Sequence, residues 1–198
     1  MKKKRILVFG VGVNDYIHSI SDDGKVIKSY KCWSHMLERC YSAKKQLKYP
    51  TYIGCTVCDK WLIFSNFKEW YDTNYKEEFE LDKDILVEGN KVYSPDTCCF
   101  VPKNINSLIH KNKKDTTLPT GVCEHLCIKN GKEYRYYRSS VYNLETKIMS
   151  PTFKTIEEAQ SWYSATKKRV VAEQVQRALD EGAIDKRIAD ALMARNFC

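Results

Sequence analysis

The sequence predicts an α+β protein in two parts, and three observations carry that expectation. Apolar residues recur at helical spacing in two aromatic-rich stretches of the first half, Trp33 to Tyr41 and Trp61 to Tyr71. Alternating stretches around the turns Asp23-Gly24 and Asn130-Gly131 mark antiparallel strands. Between the halves, HKNKKDTTLPTG (His110 to Gly121) is polar, basic and closed by a proline, which reads as a linker. The expected organisation is a first domain over 1–110 with an N-terminal hairpin and a linker over 111–119. A sheet-and-helix module over 120–168 and C-terminal helices over 169–198 complete it.

The elements follow in order. RILVFGVGVND resembles the first strand and glycine loop of a dinucleotide fold, but position 15 is Asp where a third glycine is wanted. An alternating hairpin follows instead of a helix, so Gly10 and Gly12 read as turn or bulge residues. Trp33, Met36, Leu37, Cys40 and Tyr41 then fall on one helical face, and YPTYIGCTVC is a short extended piece. Trp61, Phe64, Phe67, Trp70 and Tyr71 mark a second amphipathic helix beginning near Ser65, its aromatic stripe belonging to the core. LDKD, a Gly-Asn turn and a short strand or helix ending at Asn104 to Ile109 close the first half.

In the second half, Gly121 to Ile128, YRYYRSSVY and KIMSPTF read as three strands. A helix then runs to Gly182, and IDKRIADALMAR forms a last short helix. Three antiparallel strands crossed by one helix make a compact module. Alternation along the central strand places Tyr136, Arg138, Ser140 and Tyr142 on one face and Tyr137, Ser139 and Val141 on the other.

Composition narrows the function. Of 198 residues, 43% are hydrophobic and 12% aromatic, which excludes a disordered chain. The net charge of +8 points to an anionic partner such as nucleic acid, or serves solubility alone, and neither a membrane nor a small-molecule substrate is expected. No apolar run is long enough to cross a membrane, and no cleavage site follows the basic start. A cytoplasmic protein is the expectation. Its nine cysteines are then thiols or metal ligands rather than disulfides.

The second half resembles a known family. Thr120-Gly121-Val122, the tyrosine-rich strand and PTFKTIEEAQSWYSATKK are similar to the Apetala-type domain of plant ethylene-response factors, with Phe153, Thr155, Glu157, Glu158 and Ala159 matching position for position. That family lays a three-stranded sheet in the DNA major groove, where strands can read base edges. The resemblance implies double-stranded DNA as partner, contacted by His125, Arg138, Ser140, Tyr142 and Lys147.

The first half resembles phage proteins of the HNH (His-Asn-His) endonuclease class. The shared features are Trp33-x-x-Met36-x-x-Arg39-Cys40, Val57-Cys58-x-x-Trp61, Phe64-x-x-Phe67 and LDKDILVEGNKVYSPDTCCFVP at Leu81 to Pro102. The resemblance implies a His-Me-finger ββα core with flanking helices and a homing or nicking nuclease. In such enzymes a histidine serves as base while an aspartate and a late Asn or His hold Mg²⁺ or Mn²⁺. Carried over residue by residue, Asp82 takes the aspartate position, Lys83 the histidine seat, Asn90 the loop position and Asn106 the last. The implied metal ligands are Asp82 and Asn106, and Asp84 is an additional carboxylate.

Lys83 departs from the pattern. An ammonium with a reference pKa of about 10.4 is a poor base at neutral pH. Hydrolysis would then depend on Asp84 or a metal-bound hydroxide, with Lys83 on the phosphate. Zinc is a further expectation for Cys40, Cys55, Cys58 and Cys98, against the simpler state of buried thiols. Three functions follow: a DNA endonuclease, a catalytically silent DNA-binding regulator or anti-defence factor, and a protein whose C-terminal helices meet a host partner. Ile184, Ile188, Ala191 and Leu192 read as a packing face.

Overall fold

Aromatic residues at helical spacing organise the first of two units, Met1–Val101 and Pro102–Cys198. The structure, a computed structural model, describes residues 7–109, 117–144 and 146–197. The expected hairpin forms from β1 (Ser21–Asp22) and β2 (Lys25–Val26). α1 (Lys28–Tyr41) follows and turns Trp33, Met36, Leu37 and Cys40 inward. No periodicity marks residues 43–48, yet α2 (Ala43–Lys48) forms there behind Ser42, whose hydroxyl accepts the Lys45 N–H at 3.3 Å. β3 (Thr56–Val57) leads to a single 3-10 turn at Asp59–Leu62 that carries Trp61, and α3 (Phe64–Asn74) starts beyond it.

The core of this unit is an aromatic layer. The buried Trp33 indole donates to the Trp61 carbonyl at 2.7 Å, and Trp61 meets the rings of Phe67 and Trp70 at 5.1 and 4.7 Å. Trp70 and Tyr71 reach Phe100 on the far side. Gly12 is a close-approach glycine: a Cβ there would lie 2.4 Å from Leu37 Cδ1 and 2.9 Å from the Trp33 ring. Asp15, which breaks the dinucleotide pattern, caps α3 across 50 residues of sequence. It accepts the Ser65 N–H at 3.0 Å and the Ser65 hydroxyl at 2.6 Å, where Ile63 offers no capping side chain.

Three short strands follow, β4 (Phe79–Asp82), β5 (Val92–Tyr93) and β6 (Cys99–Pro102). The hairpin expected across the Gly89-Asn90 turn is not formed. β5 pairs in parallel with β3 through Thr56↔Val92 and Val57↔Tyr93, and the partner of β4 is β6. Tyr93 explains the pairing: its ring is buried under α1 and its phenol accepts a hydrogen bond from Arg39, which draws β5 toward β3.

The second unit begins with α4 (Lys103–Ile109), which packs against α5 (Ile156–Asp180). The division therefore falls ahead of the expected linker, most of which lies outside the described residues (110–116). β7 (Val122–Lys129), β8 (Lys132–Asn143) and β9 (Thr146–Met149) form one antiparallel sheet in the order β7-β8-β9. Thr155 and Glu158 close a capping box at the start of α5. The helix continues unbroken through residue 168, so the module and the C-terminal helices are one body rather than two. α6 (Lys186–Met193) packs against α5, and Ile188, Ala189 and Leu192 are buried.

Gly121 joins sheet and helix. Its φ of +81° is left-handed, and a Cβ there would sit 2.2 Å from the Tyr163 ring. We expect Gly121→Ala to lower stability by about 1–3 kcal/mol in thermal denaturation, through both strain and overpacking.

Candidate functional site

Pleating sorts the sheet residues into two faces. Ser139 and Val141 are buried on the α5 side of β8, as alternation predicts. On the opposite face the register sets His125 beside Tyr136, Cys123 beside Arg138, Ser140 beside Met149 and Tyr142 beside Lys147. The five residues that the resemblance assigned to DNA contact thus share one face.

That face is ordered by its own contacts. The His125 and Tyr136 rings stack at 5.2 Å with 9° between their planes, and the Arg138 guanidinium lies 5.9 Å from the Tyr136 centroid. Arg138 Nε also donates to Thr152 Oγ1 at 3.1 Å. Lys147 stands 5.8 Å over the Tyr142 ring, itself 57% exposed. Sequence reading missed Thr152, which lies beyond β9 and carries no periodic signal. It also passed over Tyr134, which the same alternation puts on this face opposite Cys127. Fixed cations beside open aromatic rings suit phosphate oxygens and base planes.

The loop at residues 82–90 is built differently. Asp82 Oδ1 accepts the N–H groups of Asp84 and Ile85, both at 2.8 Å. Lys83 is only 8% exposed, and its ammonium donates to the Asn90 carbonyl at 2.8 Å and to Asp84 Oδ2 at 3.3 Å. The Asn90 amide donates back to the Lys83 and Val92 carbonyls, each at 2.7 Å, while its oxygen accepts the Val92 N–H at 3.1 Å. Lys83 and Asn90 therefore clasp the two ends of the loop. Burial, followed by the Asp84 charge, raises the Asp82 carboxyl above its ordinary value of 3.8.

The cation expected here finds few uncommitted donors. Asp82 Oδ1 and the Asn90 side chain serve the backbone, and a divalent ion at Asp84 would have to displace the Lys83 ammonium. Asn106 belongs to α4 in the second unit, where it is buried. Cys40, Cys55 and Cys98 are buried free cysteines and Cys58 is half-buried. Burial pushes the Cys40 thiol up to about 12 and raises Cys98 as well. Among the described residues, no three His, Cys, Asp or Glu side chains gather in a metal-holding group.

Compared with known protein families, curated proteins and solved structures, the chain matches none of them.

Two outcomes test the clasp. Lys83→Met and Asp82→Ala should each lower stability by about 1–3 kcal/mol, because each leaves buried backbone groups unpaired. Asp82→Asn keeps an acceptor oxygen and should be tolerated. The native state holds the Asp82 proton more tightly than the unfolded chain does. Its contribution is therefore full below the ordinary carboxyl value of 3.8 and is lost as pH rises through the raised native value. Stability measured against pH should show this step in the parent and lack it in Asp82→Asn.

Proposed function

We propose that the protein is a phage-type duplex-DNA-binding protein that contacts DNA with the outer face of β7, β8 and β9. One observation carries this reading: His125, Arg138, Ser140, Tyr142 and Lys147 come from three strands and share one face, with rings and cations already in contact. The net charge of +8 supports a polyanionic partner.

A second reading, metal-dependent hydrolysis on an HNH-like scaffold, is favoured by the pairing of β4 with β6 and by α4 directly following β6 in the chain, with β5 intervening between the two strands. It is also favoured by the carboxylates of Asp82 and Asp84, close enough that one raises the other. Mg²⁺ or Mn²⁺ would supply charge stabilisation at the scissile phosphate. The residues available to that reaction are Asp82, Asp84 and Lys83, the last already engaged with Asn90.

Binding to a labelled duplex, followed by anisotropy across a salt series, should weaken steeply as salt rises. Arg138→Ala and Tyr142→Ala should each cost about 1–3 kcal/mol of binding without unfolding the chain. Unchanged affinity in both variants would remove the sheet face as the reading surface.

A plasmid incubated with Mg²⁺ or Mn²⁺ tests the second reading. Metal-dependent nicking lost in Asp82→Asn, with duplex binding intact, is the outcome it expects. Lys83→His rebuilds the family's Asp-His pair and should maintain or raise that activity, although it also removes the ammonium from the Asn90 carbonyl. No cleavage by the parent or by Lys83→His would leave a DNA-binding protein alone.

A further inference from the structure

In the first unit lies a surface that neither reading uses. From Arg39 to Cys58 the chain has four cations, Arg39, Lys44, Lys45 and Lys48, and no aspartate or glutamate. α2 occupies this stretch and buries none of its residues, so it does not exist to complete the core. It is nevertheless held in place. Gln46 Nε2 donates to the Cys40 carbonyl at 2.6 Å, and Ser42 caps the leading turn.

The rings and cations of the surface are interleaved. The ammonium groups of Lys45 and Lys48 each stand 5.4 Å from the centroid of one ring, Tyr49. The Arg39 guanidinium lies 5.5 Å over Tyr52, whose ring meets Tyr49 edge-on at 6.3 Å. Lys91 joins them from the neighbouring loop, its ammonium donating to the Thr51 carbonyl at 2.8 Å. The single carboxylate paired here is Glu38, 3.2 Å from Lys45. Arg39 is already engaged with the buried Tyr93 phenol and Lys45 with Glu38, which leaves Lys44, Lys48 and Lys91 to draw an outside polyanion. A six-residue helix with one exposed leucine, Leu47, offers too little apolar area to lie in a lipid interface. A chain of phosphates fits the spacing of charge and ring better.

We propose that α2 and the Tyr49–Tyr52 turn form a second contact surface for the nucleic-acid backbone, independent of base sequence. The proposal rests on the DNA-binding reading and adds a phosphate grip in the other unit.

The test uses the full chain and the double variant Lys44→Gln, Lys48→Gln. Among the described residues neither side chain makes an ion pair, so the variant should melt like the parent. Two lost phosphate contacts should flatten the slope of log affinity against log salt by about two, weakening binding about tenfold at physiological salt and equally for unrelated duplex sequences. An unchanged slope in the variant, with the parent still binding DNA, overturns this inference alone. A parent that binds no duplex even at low salt overturns the DNA-binding reading and this inference with it. Loss of binding to phosphatidylserine vesicles in the variant, with duplex binding unaltered, assigns the surface to membranes and overturns it too.

Discussion

Ser139 is the residue on which the second unit's geometry turns. Its hydroxyl donates to the Ala159 carbonyl of α5 at 2.7 Å, and its N–H donates to the Ser150 hydroxyl at 2.7 Å. The Ser139 carbonyl in turn accepts the Ser150 N–H at 2.9 Å. A buried serine needs such partners, and shifting β8 by one residue would strand them and turn Arg138 under the helix. The outer face is thus set from the inside. Arg138, Ser140 and Tyr142 are exposed together because Ser139 and Val141 cannot be.

The first unit solves an opposite problem with Lys83. Its ammonium donates to the Asn90 carbonyl and to the Asp84 carboxylate. Lys83 therefore serves as a clasp between the two ends of the loop. The Asn90 amide returns a bond to the Lys83 carbonyl, which makes the arrangement reciprocal, so the segment holds its shape through its own polar groups. That self-sufficiency is why the loop's carboxylates and amides look chemically ready in the sequence yet are largely committed in the fold.

Legibility followed periodicity. α1, the β7-β8 hairpin, α5 and the two faces of β8 were readable, because burial imposes a repeat of 3.6 or 2 on apolar positions. α2 was not, since a helix that buries nothing leaves no such pattern. The pairing of β5 with β3 was hidden for another reason. It depends on Tyr93 finding Arg39 some 50 residues away, a tertiary choice that local alternation does not encode. The division between the units falls at Val101, ahead of the basic stretch, because α4 precedes that stretch in sequence but packs on α5 after it. Of the candidate site, the sheet face was read almost whole, whereas the side-chain-to-backbone bonds of Asp82, Lys83 and Asn90 had no signature beyond residue type.

The aromatic layer has an optical consequence. Three of the four tryptophans, Trp33, Trp61 and Trp70, lie in the first unit, two of them fully buried, and only Trp162 lies in the second. Indole emission is therefore dominated by one half of the chain. The sheet face of the other half is marked by tyrosines. Loss of the buried-indole signal will date the opening of the first unit, and a separate probe on β8 will date the second, so the two halves can be watched coming apart in a single sample.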